Sequence, residues 1–403
     1  MLVLEALFAM IINPVFILFF VYFSANIYAF SNAIRHKGFE VYGYFYDASI
    51  WELSFVFLLQ SIFLIGLFTF FKINLNRCKC VSNQAENGAG YFLLTITVAF
   101  FAFSQYYGAG IAGSDFKFED ANFLNYIFVL LQPDVWFFLI APYLRSKKLF
   151  WICSVLFLVS LISRGWMGGI MLIGVVFFIR NYPVKIKINR IVPFAFVFLS
   201  IVALLPVFDA FKWGMRLGMS FGNVVNSIIE MDYLYIFKIV LQSVIDRFHN
   251  IYYVVYALQD RSNIISEIFN GNVNWFFQGG ILNSAYCKIG NCGKDIGIYL
   301  AESISRQSNI SWNVDVGISG WTIVLGWGFF VYILFSALLL NFGYRIFIKK
   351  FGLKGVMLFG AFSFIYFFHG WNNAFFNLII YALFYQLLTR LKFKIFSADG
   401  WRS

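Results

Sequence analysis

The sequence predicts an all-α polytopic membrane protein with roughly ten transmembrane helices and one large helical extracytoplasmic loop before the last three. Three observations carry that expectation. The 403 residues are 61% hydrophobic and only 12% charged, whereas a soluble domain is close to half apolar and a quarter charged. Apolar runs of span length recur along the whole chain. Basic residues concentrate in alternate connections between those runs, as they do in cytoplasmic loops of membrane proteins. One core cannot bury this much apolar surface, so much of it must face lipid. The net charge of +11 is spread over short connections rather than gathered on one soluble face, which argues against nucleic acid as a partner.

A span needs about 20 mostly apolar residues to cross roughly 30 Å of hydrocarbon. Candidate runs lie near 6–30, 50–71, 91–112, 122–144, 149–163, 166–180, 191–208, 318–341, 355–369 and 371–389. The start, MLVLEALFAMIINP, lacks a basic leader segment and a small-residue cleavage site, so the first run reads as a retained span. Without water to satisfy open backbone groups, each run must be helical. Three regions follow: 1–208 with the first seven helices, 209–316 as a large periplasmic loop, and 317–403 with the last three helices and a cytoplasmic tail.

Orientation follows from the basic residues. One set of connections carries clusters such as Arg145, Lys147 and Lys148, or Arg345, Lys349, Lys350 and Lys354. The short connections on the other side hold only Arg35, Lys37, Lys117 and Arg164. The positive-inside rule therefore puts both termini in the cytoplasm and Arg164 outside. Ser163-Arg164-Gly165 is then a tight turn between two short spans.

The region from Asp209 to Val316 is too long for an ordinary connection and too rich in Ile, Tyr, Phe and Trp to be disordered. Its piece Tyr233–Leu258 reads as one long amphipathic helix, with Lys238, Gln242 and His249 on one stripe. An eleventh span is the rival reading, made expensive by Lys238, Asp246, Arg247 and His249. Cys287 and Cys292 lie on the outer side, where a disulfide can clip the CKIGNC turn, while unpaired thiols are the other reading. Cys78, Cys80 and Cys153 are expected to stay reduced. The sequence contains no C-x-x-C, H-E-x-x-H or P-loop motif, so no metal site and no nucleotide-driven pump is expected.

The outer side collects Arg164, Arg216, Arg247, Arg261 and Arg306, whose planar donor forks suit phosphate. Each could instead meet lipid headgroups or pair with a nearby acid. Arg164, flanked by Gly165, Gly168 and Gly169, is the one most expected to face the bundle interior or a wet cavity. His249 and His369 are candidate general bases or hydrogen-bonded structural histidines, and His36 reads as solvated. Glu40, Asp47, Asp115, Glu119 and Asp120 read mostly as solvated acids. Glu52 and Asp134 fall in or near spans and need a partner or a role. Asp315, ahead of GISGWTIVLGWG, could help close a site. Trp213, Trp275, Phe276, Phe277 and Trp312 could stack on sugars or belong to an interfacial belt.

This layout resembles the O-antigen polymerase family, relatives of the O-antigen ligases. LISRGW resembles the small-S-R-G element of that superfamily, and VDVGISGWTIVLGWG (314–328) resembles the G-x-x-G that opens the span after the long loop. The resemblance implies a metal-independent membrane glycosyltransferase without cofactors, serving lipopolysaccharide or other polysaccharide biosynthesis in a bacterial cell inner membrane. Such enzymes join oligosaccharide repeat units carried on undecaprenyl diphosphate. It implies partners in those lipid-linked oligosaccharides, the bilayer, a chain-length regulator and a flippase. Catalytic roles would fall to Arg164, Arg247 and His249, and substrate binding to Arg216, Arg261, Asp315 and His369. The pair His249-Asn250 resembles the ligase His-Asn pair but stands far ahead of Gly317 in sequence, whereas the ligase pair lies near its G-x-x-G. The rival readings are a flippase or exporter for the same glycans, an O-antigen ligase, and a glycosyltransferase with Glu40 or Asp47 as base.

Overall fold

The computed structural model describes residues 13–41, 43–78, 87–108, 110, 123–166, 168–183, 191–219, 221–278, 287, 293–306, 314 and 316–390. Asp315, Cys292, Trp312 and the acidic stretch 115–120 lie outside the described residues. The described residues are mostly helical, and among them four stretches are long and apolar enough to cross a membrane: Pro14–His36, Ile50–Arg77, Gly88–Tyr107 and Gly317–Phe368.

Helix α1 (Pro14–His36) starts on Asn13, whose side chain accepts from the Val15 amide, and ends at Lys37 in the left-handed region. The first outer connection is not helical. It forms a hairpin of β1 (Gly38–Val41) and β2 (Tyr44–Asp47), a departure from the all-α expectation. Exposure alternates along β2, with Tyr44 and Tyr46 half-buried and Phe45 and Asp47 exposed, as the two faces of a strand require. A reciprocal Ser49–Glu52 capping box opens α2 (Ile50–Arg77), so Glu52 is a cap rather than an unpartnered acid in a span. Along α2, Trp51, Phe55, Leu58, Ile62 and Ile65 form an exposed stripe at helical spacing. An exposed apolar stripe on a helix of span length suits a lipid-facing surface.

Helix α3 (Asn87–Tyr107) follows. The expected span near 122–144 is interrupted: α4 (Phe123–Leu131) and α5 (Pro133–Ile140) are separated by Gln132 at φ 39°. Pro133 removes a backbone donor and disfavours helical geometry before it. Helices α6 (Lys147–Ser163) and α7 (Gly169–Arg180) flank the Arg164 turn. The run near 191–208 likewise divides into α8 (Ile191–Ala203) and α9 (Leu205–Arg216), with Pro206 in the first turn of α9. Helix α10 (Phe221–Glu230) leads to α11 (Tyr233–Asp246) and α12 (Ile251–Gln259). The single long helix expected over Tyr233–Leu258 is therefore broken at Arg247–Asn250. Helices α13 (Arg261–Phe269) and α14 (Ile296–Ser305) complete the long connection. Helices α15 (Gly317–Leu325), α16 (Phe329–Phe362) and α17 (Asn372–Arg390) end the described chain. Gly326 and Gly352, both at positive φ, bend the α15–α16 stretch.

The chain forms two compact units that cut across the expected boundaries. One joins Met10–Cys80 to Val244–Ile379. Its core is aromatic: Phe19 stacks on Phe68 at 4.3 Å and Phe30 on Phe57 at 4.5 Å, zipping α1 against α2. Helix α12 packs against α1, α2 and α15. The other unit joins Val81–Ser243 to both ends of the chain. There α3 packs on α5 and α6, and Phe137 stacks on Phe157 at 4.0 Å. Cys287 is disulfide-bonded, while Cys78 and Cys153 remain thiols.

Candidate functional site

In the unit built from Met10–Cys80 and Val244–Ile379, the break between α11 and α12 gathers the polar chemistry. His249 is 1% exposed, and its Nε2 lies 3.2 Å from Asp246 Oδ1. The two residues are one helical turn apart, so the last turn of α11 aims the carboxylate at the ring. A neutral imidazole donating from Nε2 to Asp246 leaves Nδ1 as its basic atom. That Nδ1 is buried and has no hydrogen-bond partner among the described residues. A base held by an orienting carboxylate, with its other nitrogen open to a reacting proton, is the usual geometry of general base catalysis.

Asn250 follows, also 1% exposed, and its Nδ2 donates to the His369 carbonyl at 2.8 Å. Gly317 closes the other side. It sits at φ 60°, where a Cβ would come within 2.0 Å of the Phe368 carbonyl oxygen and 3.1 Å of Asn250 Nδ2. Only glycine allows that approach. His249-Asn250, remote from Gly317 in sequence, thus stands directly against the G-x-x-G element in space. Three more buried polar atoms here lack partners among the described residues: Asn250 Oδ1, Ser319 Oγ and His369 Nδ1. Buried polar groups call for a partner, ordered water included; Gln60 and Trp136 carry such atoms elsewhere in the chain, but here four of them meet at one turn.

His369 lies in the turn after the Gly317–Phe368 stretch, with Trp371 edge-on at 5.4 Å. Burial, then the charges of Arg247 and His249, pushes its imidazole well below the ordinary histidine range. The ring is therefore neutral at physiological pH and can accept or donate one hydrogen bond, but it carries no charge. Arg247 is exposed and forms no ion pair among the described residues. Arg261 has a different task. Its Nε reaches the Val324 carbonyl at 3.4 Å, and its Nη2 occupies the space a Cβ on Gly326 would need. It caps the C-terminal end of α15, where a cation meets the negative end of the helix dipole. Phe276 is a packing residue, set between Trp321, Tyr332 and Phe335. Arg306 lies 5.1 Å over Tyr44 of the hairpin, and Glu40 and Asp47 point outward from its strands as exposed acids.

In the other unit, Arg164 has its partner. Nη1 and Nη2 bind the two oxygens of Asp134 at 3.0 and 2.8 Å, and Nε donates to the Ser160 carbonyl at 3.0 Å. Its Cζ lies 4.8 Å from the Phe100 ring. The arginine side chain is 5% exposed and the aspartate 35%. Asp134 sits in the first turn of α5, just past the Pro133 interruption, where a carboxylate also meets a positive helix end. Gly165, at φ 72°, lets the chain turn and leaves room for Arg216, whose Nη2 donates to the Gly165 carbonyl at 3.3 Å. Arg164 and Arg216 are thus brought to one turn, and Trp213 lies beneath both Lys212 and Arg216.

The residues that sequence reasoning passed over are Asp134 as the mate of Arg164, Asp246 as the orienter of His249, and Ser319. The first had a signal: two lone charges of opposite sign in neighbouring apolar runs are best buried as a pair. The second had one too, in its three-residue spacing. Among the described residues, no group of three or more His, Cys, Asp or Glu could hold a metal ion. No protein-family model, curated protein or solved structure matches this chain.

Proposed function

We propose that this chain is a membrane glycosyltransferase that joins oligosaccharide repeat units carried on undecaprenyl diphosphate, acting at the outer face of a bacterial inner membrane with both termini in the cytoplasm. The observation that carries the reading is the contact of Asn250 with Gly317 and the His369 carbonyl. It gives the His249-Asn250 pair the neighbour that the resemblance to the polymerase and ligase superfamily calls for. The Asp246–His249 pair adds a base with a defined reactive nitrogen.

The chemistry follows from these parts. An acceptor sugar hydroxyl attacks the anomeric carbon of the growing glycan and gives its proton to His249 Nδ1. The bond from the anomeric carbon to the diphosphate oxygen breaks, and its electron pair leaves with the lipid diphosphate. Asp246 stabilises the imidazolium that forms. Because Nδ1 is buried in this state, the Arg247–Asn250 turn must open for the hydroxyl to reach it. Arg247 offers its charge to the departing diphosphate, the kind of preorganised electrostatic contribution that dominates many enzymes. Arg164, already held by Asp134, serves as a strut for the turn that Arg216 contacts.

A glycan-laddering assay in cells lacking the native gene tests this. His249→Ala and Arg247→Ala are each expected to abolish long chains while leaving single repeat units, with membrane levels of the protein unchanged. Normal ladders from both variants refute the proposal. Loss of capped product with only pre-formed polymer as donor assigns the same chemistry to a ligase.

A further inference from the structure

Helix α11 exposes large apolar side chains although it lies in the long connection: Leu234 is 71% exposed, Tyr235 61% and Ile239 48%. At helical spacing these three share one arc with Lys238 and Gln242, while Val240 is buried on the opposite side. The helix has 14 residues, about 21 Å at 1.5 Å per residue, which is too short to cross roughly 30 Å of hydrocarbon. It is equally ill suited to water.

Its neighbour indicates what covers the face. The Tyr233 hydroxyl donates to the carbonyl of Ala203, the last residue of α8. Helix α8 has 13 residues of which only Ser200 is polar, and it exposes Val192, Phe196, Phe198 and Leu199. A nearly uniform apolar surface of this kind suits lipid. The exposed arc of α11 therefore begins beside the end of the apolar surface of α8, where Leu204, the residue after Ala203, is also 45% exposed. Tyrosines and a lysine with a long apolar stem at that level are the side chains that favour the boundary between hydrocarbon and headgroups. On α10 the outward face is more polar: Asn223, Asn226, Ser227 and Glu230 are exposed, with Ile229 the one large apolar side chain among them.

We infer that α11 is an interfacial helix: its Leu234–Tyr235–Ile239 face is seated in the bilayer surface, with its axis along the membrane plane rather than across it. The partner is the lipid surface itself, reached as a continuation of α8. Binding of this kind scales with the apolar area sunk into the headgroup boundary.

Spin-label accessibility in proteoliposomes tests this. Single nitroxides are placed at Leu234, Tyr235 and Ile239, and at Asn226 as the aqueous reference, in a chain with Cys78, Cys80 and Cys153 replaced by serine. All four sites are exposed, so labelling leaves the fold intact. At Leu234, Tyr235 and Ile239, collision with membrane-soluble oxygen is expected to exceed collision with a water-soluble nickel chelate, and the order is expected to reverse at Asn226. Nickel access at the three sites equal to that at Asn226 places the face in water and overturns the inference. Low access to both reagents means a second copy of the chain covers the face, and overturns it equally.

Discussion

Removing either partner of the Arg164–Asp134 pair should destabilise the protein, but by unequal amounts. Arg164 is 5% exposed and Asp134 35%. Asp134→Ala strands a guanidinium where water cannot reach it, and breaking a buried pair in that way costs about 3–5 kcal/mol. Arg164→Ala leaves a carboxylate that water partly solvates at the start of α5; the loss is one set of charge-assisted hydrogen bonds and the contact with Phe100, about 1–3 kcal/mol. Asp134→Asn keeps one acceptor for the fork and should fall between the two. The double variant should lose less than the sum of the singles by about 0.5–3 kcal/mol, the usual coupling of residues in contact. Unfolding midpoints of the four variants in one detergent, with denaturant titration for the cycle, measure this. Equal losses for the two alanine variants, or strict additivity, would refute the idea that Asp134 is the neutralising partner of a buried arginine.

Three further outcomes follow from the same geometry. The charge swap Arg164→Asp with Asp134→Arg should recover much of the stability that Asp134→Ala loses; if Arg164 is only a strut, chain polymerisation in the laddering assay recovers with it, whereas recovery of stability without polymerisation makes the guanidinium a substrate contact. Gly317→Ala forces a left-handed residue, worth about 1–2 kcal/mol, and drives a Cβ to 2.0 Å from the Phe368 oxygen; it should lower the thermal midpoint by more than the backbone strain alone, and an unchanged midpoint would show that α15 does not press on this turn. His369 has its folded pKa depressed, so below about pH 6.5, the unperturbed histidine value, the unfolded state binds the extra proton and stability falls. His369→Asn should flatten that acid branch of the midpoint-against-pH curve, and an identical slope would remove His369 as its source.

Class and outline were legible because they rest on composition and periodicity. The apolar excess and the basic connections signal a membrane protein without any structure, and among the described residues four stretches satisfy length and apolarity. The tight turn at Arg164 was legible for a local reason, since Ser-Arg-Gly between two apolar runs leaves the chain few alternatives. Interruptions inside apolar runs were not. Hydropathy averages over a window, so Gln132 at φ 39° beside Pro133 and the positive-φ Gly326 disappear into the mean. The β-hairpin escaped because its strands have four residues each, too few to establish a period of two. The contact of Asn250 with Gly317 was out of reach in principle, because pairing across 67 positions depends on how helices pack rather than on spacing.

Two arginines expected to share one role differ in what surrounds them, and that difference reorganises the site. A diphosphate approaching Arg164 meets a fork already filled by a carboxylate at 2.8 and 3.0 Å. To bind there it must displace Asp134, exchanging one bidentate anion for another with little net gain in charge compensation. Arg247 presents the same guanidinium in an exposed position with no ion pair among the described residues. Binding an anion there adds charge compensation instead of exchanging it. Arg247 also stands two residues from His249, at the helix break that, under the proposed function, opens for the acceptor to reach Nδ1. An anion drawn to Arg247 would therefore act on the turn that covers His249 Nδ1, whereas one drawn to Arg164 meets a turn already locked by Asp134. Under the proposed function, the arginine buried in the apolar run holds structure, and the one at the helix break is the one left to meet the lipid-linked anion.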